Sequence, residues 1–307
     1  HLPLACFALY YLALIVYFKQ NWFTAKERKW ALLFCTLGIT VLLAAKSLAS
    51  VPFTVHFIDV GQGDAALVQT SAGQNIIVDC GGLQGDFDTG SRIIVPYLRY
   101  LGVDKVDLLA LSHGHHDHAG GAAGLARLVK VNKLLLPQEK PSEDVAKLLH
   151  YVKPQDVIAA KPGSVFNLGP CRIEILAGGK SEGGGNESSV IMRVSEAGGS
   201  ILFTGDADEN IELAAASKIK QSDVLKVAHH GSNYSSTEVF LKQVRPKIAV
   251  ISAGAGNSYG HPGREAVQRL QAAGAKVLRT DKLGAVKVCF DGGRMRWYSY
   301  RYDKEFF

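Results

Sequence analysis

Cysteine is scarce in this 307-residue sequence and is nowhere spaced for a shared task. Cys6, Cys35, Cys80, Cys171 and Cys289 include no CxxC pair, which excludes a disulfide framework and a zinc site built on thiolates. A marked charge bias is missing too. The formal net charge is +6, but residues 1–51 hold five basic residues and one acid, leaving 29 basic against 27 acidic residues beyond them. That remainder of +2 gives no support for a nucleic-acid-binding face from bulk charge.

Charge is absent altogether from Leu2–Phe18 and Trp30–Ala45. Both runs fall a little short of the ~20 apolar residues of a membrane-spanning helix, with Lys19 and Lys46 placed to snorkel at their ends. Two runs with no basic stretch before the first do not fit a secretory signal. The expectation is a transmembrane helical hairpin over residues 1–50 and a soluble domain over 51–307. Lys19, Lys26, Arg28 and Lys29 against Glu27 put the connecting loop on the cytoplasmic side, hence the domain on the extracytoplasmic side of the cell membrane. Starting at His1 rather than methionine, the chain reads as the C-terminal piece of a longer multi-pass protein.

From Val51 onward, strand-like and helix-like segments alternate between glycine-rich turns. "FTVHFIDV", "AALVQT" and "NIIVDCGG" read as strands, "IIVPYLRYLG" as a helix and "VDLLALSH" as a buried strand. The second half repeats the pattern: strands in "CRIEILAG", "SSVIMRVSEAGGSILFTGDAD", "DVLKVAHHGS" and "KIAVISAG", helices in "ENIELAAASKI", "STEVFLKQVRP" and "GREAVQRLQAAG". An α/β fold of two mixed sheets covered by helices, a four-layer sandwich, accommodates this order. The loop 177–187, rich in glycine, is placed to overhang a site.

What the sequence does have is histidine in one place. "LSHGHHDHAGG", Leu111–Gly121, packs four of the ten histidines and an aspartate into six residues. His113 and His115, two apart after a buried strand, are spaced to bind one ion. Asp117 and His118 are placed to reach a second. Imidazole with carboxylate suits zinc, manganese or iron(II).

The run His113-Gly-His115-His116-Asp117-His118 matches HxHxDH, and on it the chain resembles the metallo-β-lactamase superfamily of two-metal hydrolases. "HFIDVGQGDAALVQT", "IIVDCGG", "ILFTGDAD", "LKVAHHGS" and "YGHPG" follow in order after the paired apolar runs, so the whole chain is similar to the C-terminal end of the ComEC family of natural competence. The resemblance implies an αββα four-layer fold and two divalent ions, manganese or zinc, with no organic cofactor. It implies a nuclease that degrades the strand of incoming DNA not taken up. The implied partners are DNA, as single strand or entering duplex, the membrane and other DNA-uptake proteins.

The superfamily pattern places His113 and His115 on the first metal, Asp117 and His118 on the second, and Asp206 between the two. His229 is preferred over His230 as the last ligand, and Asp79 is expected to support the histidine loop from behind. One departure stands out. The third histidine that many members give the first metal has no counterpart, since His150 is the only histidine in that interval and reads as a surface helix residue. "NESSV" occupies the position, resembling an Asn-x-x-Ser pattern, with Asn186 and Ser189 as catalytic candidates and the Asn186 carbonyl oxygen as a replacement ligand.

His261 is expected to give a proton to the leaving oxygen or hold a phosphate. Asp59 and Asp64 match the family's DVGxGD stretch, with turn capping as the plainer role. The C-terminal "GGRMRWYSYRYDK" alternates arginines with aromatics, a pattern shared by base-stacking surfaces and half-buried terminal strands, and the strand is preferred. Three rivals to a DNA nuclease remain at this point: a small-molecule phosphodiesterase resembling phosphorylcholine esterase, a non-catalytic module of an uptake channel, and a cytoplasmic hydrolase whose apolar runs are core helices.

Overall fold

The computed structural model describes residues 4–48, 51–82, 87–178, 185–301 and 305–306. Contacts divide the chain into two units, residues 1–51 and 52–307. The first is a pair of packed helices, Leu4–Phe18 and Ala25–Leu48. Thr24 and Glu27 start the second by reciprocal capping: the Thr24 backbone N–H donates to the Glu27 carboxylate at 2.8 Å and the Glu27 N–H to Thr24 Oγ1 at 3.3 Å.

A transmembrane hairpin was expected here; among the described residues, no helix is long and apolar enough to cross a membrane. The reason is length and charge. The first helix has 15 residues, about 22 Å at 1.5 Å per residue against a hydrocarbon core of about 30 Å. The second has 24 residues but opens on Lys26, Glu27, Arg28 and Lys29.

The second unit holds a nine-stranded and a seven-stranded sheet. In the larger sheet Phe53–Phe57 lies antiparallel between Val286–Asp291 and Ala65–Gln69, with Val55 opposite both Val288 and Val68. Asn75–Cys80, Leu108–Ala110, Leu134–Leu136 and Val157–Ala159 continue it in parallel. In the smaller sheet Gly199–Phe203, Val224–Lys226, Ile248–Ile251 and Lys276–Arg279 are parallel neighbours.

Strand periodicity distributes the apolar side chains into three cores. Val55, Phe57, Leu108 and Ala110 meet Ile173, Met192, Ile201 and Phe203 between the sheets. Leu67, Ile77 and Leu109 face the other way, onto Leu98, Leu125 and Leu148 of the covering helices. Leu202, Leu225 and Ala249 face Phe240, Leu241 and Leu270 on the far side. Helix, sheet, sheet, helix is the layered order expected of the sequence.

Several segments are shorter than their apolar stretches. "VDLLALSH" forms a strand only over Leu108–Ala110, and "DVLKVAHHGS" only over Val224–Lys226. The parallel strands stop early and release their next residues into loops at their carboxyl ends, where open α/β sheets gather ligands. Arg294–Ser299 is a strand paired on both sides, with Trp297 buried in the inter-sheet core.

Candidate metal centre

The histidine loop is held from behind by the neighbouring strand. The Ser112 backbone N–H donates to Asp79 Oδ1 at 2.7 Å and its hydroxyl donates to Asp79 Oδ2 at 2.8 Å. Asp79 adopts φ 58°, a left-handed conformation uncommon outside glycine and aspartate or asparagine, which turns its carboxylate under the loop. His118 Nδ1 donates to Asp79 Oδ2 at 3.0 Å, so its Nε2 faces the other way. The Ser112 hydroxyl is also 3.1 Å from His113 Nδ1, orienting that ring as well. Gly82 permits the close approach of the two segments, since a Cβ there would lie 1.9 Å from the His116 carbonyl oxygen.

Asp206 arrives from the other sheet, three residues beyond Phe203. Its backbone N–H donates to the Ser189 hydroxyl at 3.1 Å. Its two carboxylate oxygens face different histidine pairs. Oδ1 lies 3.0 Å from His118 Nε2 and 3.8 Å from His230 Nε2. Oδ2 lies 3.9 Å from His113 Nε2 and 3.8 Å from His229 Nε2.

The adjacent histidines can split between the two oxygens because their backbone is unusual. His229 (φ 49°) and His230 (φ 52°) are both left-handed, followed by Gly231 at φ 83°. Each left-handed non-glycine residue costs roughly 1–2 kcal/mol, strain of the kind that collects at functional sites. His230 Nδ1 is 3.0 Å from the Ser252 carbonyl oxygen, to which it donates, and Nε2 is 3.1 Å from Asp117 Oδ2.

The donor set fits divalent cations. Buried His113 Nε2, His118 Nε2 and Asp206 Oδ1 have no hydrogen-bond partner, although His118 Nε2 and Asp206 Oδ1 are only 3.0 Å apart. Leaving such atoms unpaired is costly, and atoms that converge without bonding one another share a need for a third partner. The ligand atoms of Asp117, His118, Asp206 and His230 all lie within 4.8 Å of one another. Imidazole nitrogen and carboxylate oxygen are donors for zinc or manganese.

The field points the same way. Burial disfavours charge on His118, but Asp206, Asp79 and Asp64 overcome it and draw positive charge onto the ring. Burial likewise opposes charge on His230, yet Asp206, Asp64 and Asp117 hold that ring up at about 10. His113 is different: burial, then the neighbouring His118, push it down to about 3, which keeps its ring neutral with a lone pair to give.

Most residues singled out in the sequence converge here. His115 is exposed on the wall of the cleft, its ring 4.8 Å from that of His113. Asn186 lines the cleft with a buried, unpartnered Oδ1. His261 stands 5.6 Å from the His229 ring, and burial followed by the nearby His229 and His230 lowers its pKa.

Some expectations change. His230, not His229, joins the four-residue group, while His229 is partly exposed on the Oδ2 side of Asp206. Ser189 is fully buried and spends its hydroxyl on the Asp206 backbone, a positioning contact and not a catalytic one. Asp59 is exposed and accepts from the Gly61 N–H at 3.2 Å, the turn-capping role. Asp64 is buried with its carboxylate 3.3 Å from His230 Nδ1. His150 sits exposed at a helix end. Of the loop 177–187, residues 179–184 lie outside the described residues, and Gly185 abuts His115.

Two contributors escaped the sequence reading. Ser112 ties Asp79, His113 and His118 together. Lys226 is almost wholly buried, with Nζ 2.5 Å from Asp64 and donating to the Val227 carbonyl at 2.9 Å. It balances part of the negative charge, and Asp64 is held down at about 2 because Lys226, His230 and His118 outweigh its burial. The signal was available: a lysine inside the apolar strand "DVLKV" must find a carboxylate. The centre opens into a cleft of about 830 Å³, flanked by Phe87, Asn257 and Tyr259.

Comparison with known proteins agrees with this geometry. Residues 58–255 match the metallo-beta-lactamase superfamily. The chain is 32% identical over 251 residues to ComE operon protein 3 of Bacillus subtilis, covering 76% of this chain and 32% of that protein. It is 30% identical over 275 residues to Recombination protein 2 of Haemophilus influenzae, covering 88% and 33%, and 32% identical over 257 residues to Competence protein ComA of Neisseria gonorrhoeae, covering 80% and 34%. The chain thus spans about a third of the length of these relatives. Among solved structures, the CmlA beta-hydroxylase E377D mutant superposes with a TM-score of 0.53 at 12% identity, over 87% of this chain and 60% of that one, a likeness of fold alone.

Proposed function

Because the chain belongs to the metallo-β-lactamase superfamily and its relatives include competence proteins, we propose that it hydrolyses phosphodiester bonds of DNA during DNA uptake, degrading the strand that is not taken up. The observation that carries this reading is the split of Asp206, one oxygen toward His118 and His230 and the other toward His113 and His229.

In this reading His118, His230, Asp117 and Asp206 hold one divalent ion, manganese or zinc. His113, His115, His229 and Asp206 would hold another, with Asn186 beside them. Bound divalent ions supply a nucleophilic water at neutral pH and offset the charge of the phosphate. The chain's own residues do the rest. Asp79 and Ser112 fix the rings of His118 and His113. Lys226 and Asp64 hold the ground beneath His230. His261, neutral at pH 7 by the lowering of its pKa, donates a hydrogen bond from its ring N–H to a phosphate or leaving oxygen.

The reading requires the domain to meet DNA outside the cytoplasm, a location tested by protease access in intact cells. The activity is tested by incubating the purified chain with single-stranded DNA and with a choline phosphodiester, each with manganese, zinc or magnesium. Metal-dependent cleavage of DNA is expected. Turnover of the small ester alone would replace the DNA reading with a small-molecule phosphodiesterase.

A further inference from the structure

Among the described residues, no lysine or arginine lines the metal cleft. A polyanionic strand crossing it therefore meets fixed cationic side chains elsewhere. Past Phe87 and His116, which border both spaces, the cleft continues into a groove of about 250 Å³. Its floor is Gly120, Ala123 and Gly124, small residues that keep it open. Its walls carry two cations, two aromatics and the carboxylates of Asp88 and Asp144, and the Arg92 guanidinium stands 5.2 Å from the Phe87 ring centroid. Arg127 and Lys147 have 56% and 58% of their side chains exposed, and Phe87 and Tyr151 are 37% and 50% exposed.

Aromatic faces beside cations are the means by which proteins hold single-stranded nucleic acid: bases stack and phosphates pair. The volume is close to the ~300 Å³ lower bound of small-ligand sites, room for one nucleotide rather than a base pair. The cations are engaged only loosely. Arg127 stands 4.0 Å from Asp88, and Lys147 pairs at the surface with Glu143 at 2.8 Å. Exposed pairs of this kind are weak and yield to a phosphate. Asp144 lies 2.7 Å from His116 Nδ1 and 3.9 Å from Lys147 Nζ, a second and longer pair for that lysine.

We propose that this groove binds one nucleotide of a single DNA strand next to the scissile phosphodiester, with its base against Phe87 and Tyr151 and its phosphate on Arg127 and Lys147. The inference rests on the DNA reading above and adds to it a single-stranded substrate and the direction in which the strand leaves the metals.

Fluorescence anisotropy with a labelled phosphorothioate single-stranded decamer and the full chain in manganese tests it. Arg127→Ala and Tyr151→Ala are each expected to weaken binding roughly tenfold. Arg127→Ala is also expected to flatten the slope of log Kd against log salt by about 0.7, the loss of one phosphate contact. Lys242→Ala, on a helix of the opposite layer, is the control and should bind as the parent chain does. Unchanged affinity and slope in both groove variants would overturn the inference, even if the unmodified decamer is cleaved. Loss of binding in both variants without cleavage of that decamer under any metal would uphold the groove and sink the nuclease reading.

Discussion

His118 Nε2 lies 3.0 Å from Asp206 Oδ1, and no hydrogen bond joins them. Nδ1 of the same ring is engaged by Asp79, so Nε2 is the atom left to face that oxygen. So close a pair is held by positive charge, which the surrounding carboxylates draw to this ring and which a metal ion would supply in its place. The contact joins the short helix His116–Ala119, after the strand Leu108–Ala110 of one sheet, to the turn after Gly199–Phe203 of the other.

Asp206→Asn should therefore strip metal from the protein. The expected loss of activity exceeds the ~10–100-fold that follows from removing an outer partner of a ligand. Metal content after dialysis, measured by atomic emission, checks this alongside the DNA assay. A variant that keeps its full metal complement would contradict a bridging role.

His229 and His230 should behave as ligands of different ions. His230→Ala and His229→Ala are each expected to lower bound metal by one ion per chain and to reduce cleavage severely. His230→Ala should also leave buried Asp64 and half-buried Asp117 in uncompensated repulsion and lower the melting temperature. Full metal binding in His230→Ala would return preference to His229 alone.

Ser112→Ala removes a hydroxyl that touches Asp79, His113 and His118 without touching solvent. Metal affinity should fall roughly 10–100-fold while circular dichroism stays that of the parent. Competition with a chelator of known affinity gives the number.

Lys226→Met leaves Asp64 buried without its 2.5 Å partner. Breaking one side of a buried pair costs about 3–5 kcal/mol. The double variant Lys226→Met/Asp64→Asn should recover most of that loss, because the orphaned charge is gone. Urea denaturation of the metal-free proteins measures both, and a double variant no better than the single would disprove the pairing.

His56 gives the domain an acid-sensitive spot remote from the metal ligands. It is fully buried, with Nδ1 2.9 Å from the Tyr97 hydroxyl. Burial, then the charge of Lys287, holds its pKa down at about 3 from an ordinary 6.5. Between those values the unfolded chain binds a proton that the folded chain refuses, so this stability is present above pH 6.5 and is lost as pH falls. The loss amounts to about 2 kcal/mol by pH 5. Stability of metal-free His56→Phe should fall less between pH 7.5 and 5 than that of the parent chain, by about that amount.

Much of this was legible in the sequence. Strand alternation around Val55, Leu109 and Leu202 foretold the layers, because each strand has only two faces and both are covered. The spacing of His113, His115, Asp117 and His118 announced metal, since local loop geometry suffices to aim them. The helices at residues 4–18 and 25–48 were legible from their apolar runs, which are already short for a membrane span.

The order of His229 and His230 was not legible. Strand continuity argued for His229, whereas two successive left-handed residues swing the pair apart and place His230 inside. Ser189 looked catalytic by motif, and its hydroxyl is used by the nearby backbone instead. No pattern of residue types distinguishes a polar group facing a site from one facing a peptide N–H.

By itself the sequence determined the layers and the chemical character of the centre, because periodicity and residue type act locally along the chain. Only the tertiary structure decided which groups converge on Asp206, which carboxylate takes the buried Lys226, and where the cleft opens onto a groove. Those are matters of distance between segments more than a hundred residues apart, as His230 and Asp117 are, and distance across a fold is written in no short stretch of sequence.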